Sequence, residues 1–248
     1  MNIDAYSNGW IFIDKPSGIT SFDVIRNIRR LTKIKKIGHS GTLDPFASGA
    51  LALAFGEATK SIQFLSSLKE YKFKIKFGER RDTDDITGNI LDKNKIFPSI
   101  ENINNTIPNF LGKTNQVPPI YSAVKVKGQR AYKLAREGKN FELDPKEVEI
   151  FKLQCLKKIK NDEYEFILQC SSGTYVRSLA RDIAEKLGCI AYVSSLRRTN
   201  IAKFDEKNLI SLEKFEELVH IGDHFDYVHS IQDVLDDIPA VLLNYEKA

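Results

Sequence analysis

The chain has 248 residues, 42% of them hydrophobic, which is enough for a packed core in one large or two modest domains and too apolar for a disordered chain. Its three cysteines, Cys155, Cys170 and Cys189, form no C-x-x-C pair, which argues against a disulfide framework or a zinc knuckle and favours a reducing cytoplasm. The net charge of +4 is unevenly spread: from Asp205 onward eleven acidic residues face three basic ones, a balance of −8, leaving +12 in the first 204 residues for a polyanionic partner.

The longest nearly apolar run, Gly49 to Gly56, is far too short to span a bilayer, and the N-terminus has no basic segment followed by a long apolar one. Neither secretion nor membrane insertion is expected.

In chain order, Trp10 to Asp14 reads as a short strand closed by a Pro16-Ser17-Gly18 turn. Thr20 and Asp23 have capping-box spacing, and Val24, Ile25, Ile28 and Leu31 recur at helical intervals opposite Arg26, Arg29, Arg30 and Lys33. A helix with one packed and one basic face follows from that pattern. Lys35 and Lys36 lead into a glycine-rich segment, after which Ala50 to Phe55 reads as a buried strand.

Tyr71, Phe73, Ile75 and Phe77 alternate with Lys72, Lys74 and Lys76, the mark of a half-buried strand. Gly78 to Gly88 reads as a polar loop before a strand near Ile90, and Pro98 to Leu111 as helical. Val148 to Leu153 and Tyr164 to Cys170 are further strands. Val176, Leu179, Ala180, Ile183, Ala184 and Leu187 mark an amphipathic helix stopped by Gly188. Strands and helices intersperse without a βαβ repeat, so the fold class is α+β.

Several segments concentrate chemistry. Gly38 to Leu51 sets three glycines, a histidine, three hydroxyl residues and Asp44 between a basic helix and a buried strand, a composition that lets another backbone approach. Local physics alone leaves Asp44 in an Asp-Pro turn that caps nearby amides, and His39 as a structural residue. Arg177 falls in the first turn of a helix, where the dipole favours anions; it is either a solvated arginine or one with a specific acidic or phosphate partner. Lys125 to Lys139 carries six basic residues and one acidic, with Tyr132 among them, a surface helix or a grip for phosphates. Tyr71, Tyr175 and Leu196 read as packing residues. His220 and His224 have i, i+4 spacing with His229 nearby, but the surrounding acidic tail carries no metal signature, and no metal is expected.

Taken together these segments resemble the TruB family of tRNA pseudouridine synthases. Gly38 to Gly49 fills every fixed position of G-H-x-G-x-L-D-P-x-A-x-G. Asp14 to Ser21 resembles D-K-P-x-G-x-T-S; Val117 to Arg136 resembles V-P-P-x-Y-S-A-x-K-x-x-G-x-R-x-Y-x-x-A-R; Gly173 to Arg177 resembles G-T-Y-I/V-R; and Leu196-Arg197-Arg198 matches an L-R-R stretch. The resemblance covers roughly Trp10 to Ala240.

What it implies is a pseudouridine synthase fold, a mixed but mainly antiparallel sheet with flanking helices, as one catalytic domain over 1–248 with an inserted RNA-binding arm at about 118–148. No room is left for the C-terminal PUA module of many relatives, so a short form is expected. The implied reaction converts the T-loop uridine at tRNA position 55 to pseudouridine without a cofactor. Asp44 is implied as the catalytic carboxylate, adding to the base or to C1′ or removing a sugar proton, with Arg177 as its cationic partner and Tyr71 stacking on the base. His39, Tyr175, Leu196, Lys15 and the arm residues Lys125, Lys127, Arg130 and Lys133 are implied substrate contacts. The partner is the T-arm of tRNA and the enzyme a monomer. The alternative is a non-catalytic RNA-binding protein or tRNA folding chaperone.

Overall fold

The computed structural model describes residues 8–222 and 227–235, and the chain gathers into two compact units, one formed by the chain up to Ser66 and from Ile201 on, the other by Ser67–Asn200. In the first unit, β1 (Gly9–Lys15) is followed by α1 (Ser21–Thr32). The capping box forms as the spacing predicts: Asp23 N–H donates to Thr20 Oγ1 at 3.0 Å and Thr20 N–H donates to Asp23 Oδ2 at 2.9 Å. Val24, Ile25 and Ile28 are buried while Arg26, Arg29 and Arg30 are exposed, so the amphipathic reading holds. β2 (Ile37–His39) then pairs antiparallel with β3 (Ser48–Phe55), which begins two residues before the expected strand.

In the second unit β4 (Lys69–Phe77) keeps the expected alternation and extends it, placing Lys69 on the same buried face as Tyr71, Phe73, Ile75 and Phe77. The segment expected to be a polar loop carries a short hairpin, β5 (Glu79–Arg81) against β6 (Ile90–Lys93). α2 (Ile100–Thr106) hands over to a 3₁₀ turn at Ile107–Phe110, because Pro108 has no N–H to continue the ladder. There follow β7 (Gly112–Gln116), β8 (Lys125–Val126), β9 (Gln129–Arg130), α3 (Ala131–Arg136), β10 (Lys146–Lys160), β11 (Glu163–Cys170), α4 (Val176–Lys186) and β12 (Ala191–Ile201). The sheet order is β12-β4-β11-β10-β7. β10 is far longer than expected because register shifts near Ile150, Cys155 and Lys158 interrupt its period of two.

The chain returns to the first unit through β13 (Phe204–Asp205), β14 (Ile210–Ser211), α5 (Leu212–Ile221) and α6 (Ile231–Val234). β1 lies between β3, antiparallel, and β14, parallel. Alternation then sorts its side chains onto two cores: Ile11 and Ile13 pack with Leu51, Leu53, α1 and Phe215 of α5, while Trp10 and Phe12 pack with Ala50, Ala52, Ala54 and Phe204. The fold is α+β and mainly antiparallel, as expected. No helix among the described residues is long and apolar enough to cross a membrane. Of the histidines in the acidic tail, His220 lies on α5 and His229 bridges to Trp10, while His224 lies outside the described residues.

Replacing Thr20 by Ala removes the cap and should cost about 1 kcal/mol of stability, with Thr20→Ser restoring most of it; denaturant titration of the two variants measures this.

Candidate active site

Asp44 sits on the connection between β2 and β3. Gly41 (φ 95°) and Gly49 (φ 101°) occupy left-handed backbone that a side chain would strain, so these two glycines let the chain turn around the aspartate. Gly38 has another duty: a Cβ there would come within 2.6 Å of Ile62 Cδ1.

The connection is clamped from both sides of Asp44. Ser21 Oγ, at the start of α1, accepts from Leu43 N–H at 2.9 Å and donates to Leu43 C=O at 3.2 Å. Gly18 N–H donates to Pro45 C=O at 2.8 Å, and Ser17 Oγ to Phe46 C=O at 2.6 Å. Leu43 and Ala47 are buried, leaving Asp44 half-buried on a fixed turn. Lys15, expected among the substrate contacts, is instead 0% exposed: its ammonium donates to the carbonyls of Ile19 (2.7 Å), Pro16 (2.8 Å) and Pro45 (3.3 Å). A buried ammonium must be satisfied internally, which makes Lys15 a strut beneath the turn. His39, the last residue of β2, pairs with Leu53 and is half-buried.

In the second unit Arg177 is 3% exposed, so the solvated reading does not hold. Its guanidinium donates to Thr83 C=O at 3.0 Å and Tyr121 C=O at 3.2 Å, and faces Asp85 Oδ2 at 3.6 Å. One acidic neighbour of Arg177 thus comes from the segment read as a polar loop. Asp85 is itself buried and oriented: its Oδ1 accepts from Thr83 Oγ1 (2.8 Å), Thr87 Oγ1 (2.6 Å) and Thr87 N–H (2.9 Å), turning Oδ2 toward the arginine. Next to it, Asp84 at φ 58° pairs with Arg181 at 3.2 Å, and burial raises its carboxyl to about 6 despite Arg181 and Arg177. Sequence reasoning missed both aspartates; the available signal was two hydroxyl residues flanking an acid, a pattern that fixes a carboxylate.

Tyr71 is buried on β4, its hydroxyl 3.5 Å from Arg198 Nη1 and its ring 6.0 Å from the guanidinium carbon. Arg198, 1% exposed on β12, was passed over within the L-R-R stretch. Lys69, in phase with Tyr71 and equally hidden, donates to Ser172 Oγ at 2.9 Å, tying β4 to the loop before Arg177; burial and then Arg198 lower its ammonium to about 8. Tyr175 is half-buried at the N-cap of α4, its N–H on Gln116 Oε1 at 2.8 Å. Leu196 is buried on β12.

The arm leaves the sheet where β7 and β10 part, since Gln116 still pairs with Lys146. Lys127 (φ 48°) and Gly128 (φ 85°) turn the β8–β9 hairpin. Lys125, Lys127 and Lys133 point into solvent, whereas Arg130 donates back to Ala123 C=O. Between the hairpin and residues 139–146 lies a cavity of about 880 Å³ lined by Lys125, Lys127, Lys139, Lys146 and Phe141 among others.

A family model for the TruB family pseudouridylate synthase N-terminal domain matches residues 29–176, and one for the tRNA pseudouridylate synthase B C-terminal domain matches 177–242. The tRNA pseudouridine synthase B of Ehrlichia ruminantium is 46% identical over 232 residues, covering 93% of this chain and 78% of that protein. The enzyme of the same name from Bradyrhizobium diazoefficiens is 42% identical over 240 residues, covering 94% and 70%. Among solved structures, a chain in the crystal structure of a Cbf5-Nop10-Gar1 complex aligns with TM-score 0.75 and 26% identity over 96% of this chain, which spans 65% of that longer one. An archaeal box H/ACA Nop10-Cbf5 complex gives TM-score 0.69 at 24% identity, a likeness of fold.

Fold and motifs thus define an RNA-modifying isomerase. The chain belongs to the TruB family of pseudouridylate synthases, which convert uridine to pseudouridine.

Two outcomes test the buried network. Asp85→Ala removes the buried carboxylate that faces Arg177 and should destabilise the fold by about 3 kcal/mol, read by denaturant midpoint. Asp84 holds its proton up to about 6 in the folded state and only to its ordinary 3.8 when unfolded, so the folded state binds more protons between those values. Its contribution is therefore greatest below about pH 4 and is lost as pH rises through 6. Relative to Asp84→Asn, which cannot ionise, the wild type should lose roughly 2–3 kcal/mol between pH 4 and 7, measured by thermal unfolding across that range.

Proposed function

We propose that the protein isomerises the uridine at position 55 in the T-loop of tRNA, with Asp44 as the catalytic carboxylate, Arg177 as the cation that keeps it ionised, and Tyr71 as the surface on which the flipped base stacks. The observation that supports this reading best is the clamped turn: every fixed position of the motif is present, and the backbone on both sides of Asp44 is held by hydrogen bonds, so one half-buried carboxylate stands on a fixed backbone.

The chemistry asks for little else. The N1 to C1′ bond breaks, the uracil turns within the site, and C5 bonds to C1′ while the C5 proton is lost and N1 gains one, so atoms and electrons balance with no redox step. Asp85 and the carbonyls of Thr83 and Tyr121 fix Arg177 in direction, so its charge is available without reorganisation. The two units act in this reading as one catalytic domain, monomeric and cytoplasmic, where three buried cysteine thiols would stay reduced. His39, Tyr175 and Leu196 shape the base pocket, and the exposed arm lysines 125, 127 and 133 grip phosphates.

Position-resolved mapping of pseudouridine on unmodified tRNA is the test. Wild type should modify position 55, and Asp44→Asn should lose at least about a thousandfold in rate while its tRNA affinity changes by less than about threefold. Release of free uracil would point to a glycosidase, and binding without modification by the wild type to a chaperone.

A further inference from the structure

The exposed face of α1 is used by nothing described so far. Phe22, Arg26 and Arg29 follow one another at i, i+4 and i+7, so they lie on one stripe of the helix, away from the buried Val24, Ile25 and Ile28, and the exposed Lys33 follows just past the helix end as its left-handed C-cap (φ 62°). At 1.5 Å per residue the helical part of the stripe, Phe22 to Arg29, is about 10 Å long. Phe22 is 67% exposed, an unusual position for a large aromatic on a helix that has an apolar core to face. Arg26 contacts Asp23 on its own helix, with its side chain still 73% exposed, and Arg29 and Lys33 form no ion pair with another described residue. Arg30 lies beside the stripe, reaching Glu216 at 3.4 Å, a contact between exposed side chains that contributes little. The stripe therefore keeps an excess of positive charge that the fold does not neutralise.

Its position in the unit gives that charge a use. Ser21, one residue before Phe22, is the side chain that clamps Leu43, the neighbour of Asp44. The stripe thus starts at the helix end that holds the catalytic turn and runs away from it.

We infer that this stripe is a second docking surface for the substrate RNA: Arg26, Arg29 and Lys33 take successive phosphates of a stem, and Phe22 takes an unpaired base or a ribose face at the end nearest the turn. The occupant is RNA because charge complementarity requires a polyanion with repeated charges, and the exposed aromatic adds a surface that a nucleobase fits. This rests on the reading of tRNA as substrate.

The experiment compares wild type, the triple variant Arg26→Gln/Arg29→Gln/Lys33→Gln, the single reversal Arg29→Glu and Phe22→Ala, with Lys214→Gln on α5 as control. Each is titrated with unmodified tRNA from 50 to 300 mM salt, and each is assayed for pseudouridine. The triple variant should bind about tenfold more weakly near 0.15 M salt, with its log affinity against log salt slope reduced by about two to three. Arg29→Glu should weaken binding severalfold, Phe22→Ala about fivefold or more with the salt slope unchanged, and Lys214→Gln should match wild type. If wild type forms pseudouridine and the triple variant binds with unchanged affinity and slope, the docking surface is wrong while the substrate assignment stands. If wild type neither binds tRNA nor modifies it, the substrate assignment falls first.

Discussion

A fully buried lysine ammonium has to find its acceptors inside the protein, and in this chain Lys15 finds them in the turn that follows it and in Pro45 of the loop that carries Asp44. That requirement draws the end of β1, the entry to α1 and the β2–β3 connection to a single point. Ser21 and Gly18 complete the clamp with hydrogen bonds to Leu43 and Pro45. The motif Asp14 to Ser21, whose Lys15 lies 30 residues before Pro45, is thereby part of the same construction as the Asp44 turn, and the glycines at 41 and 49 allow the backbone to follow it.

The second unit solves a comparable problem with opposite charges. Arg177 enters at the N-terminal end of α4, where the helix dipole gives it no support, and is held by two carbonyls and a carboxylate whose other oxygen is fully engaged by Thr83 and Thr87. Tyr121 belongs to the root of the arm and Gln116 to the strand before it, so the residues around Arg177 and Tyr175 are tied to the segment expected to grip RNA. Burial shifts protonation in this unit, Asp84 upward against its arginine neighbours and Lys69 downward with Arg198 adding to the effect.

Much of this was legible beforehand. The capping box at Thr20, the alternation of β4 and the helix over 176–186 follow from local chemistry and period, and the motif around Asp44 is complete in the residues themselves. What local reading missed has physical causes. Strand β10 hides its length behind bulges, and the helix over 98–111 breaks at a proline that its apolar spacing does not register. Lys15, Lys69 and Arg198 are charged residues that would be placed at a surface by type, and each is buried.

By itself, then, the sequence determined the secondary structure wherever periodicity is unbroken, the glycines that the Asp44 turn needs, and the family of the enzyme, because these depend on neighbours within a few residues or on a motif of fixed spacing. Only the tertiary structure decided which charges are hidden and what satisfies them: that Lys15 is a strut, that Asp85 rather than solvent faces Arg177, and that Arg198 lies beside Tyr71. Those partners are separated by up to 127 residues, and the desolvation that makes them matter exists only once the chain has closed over them.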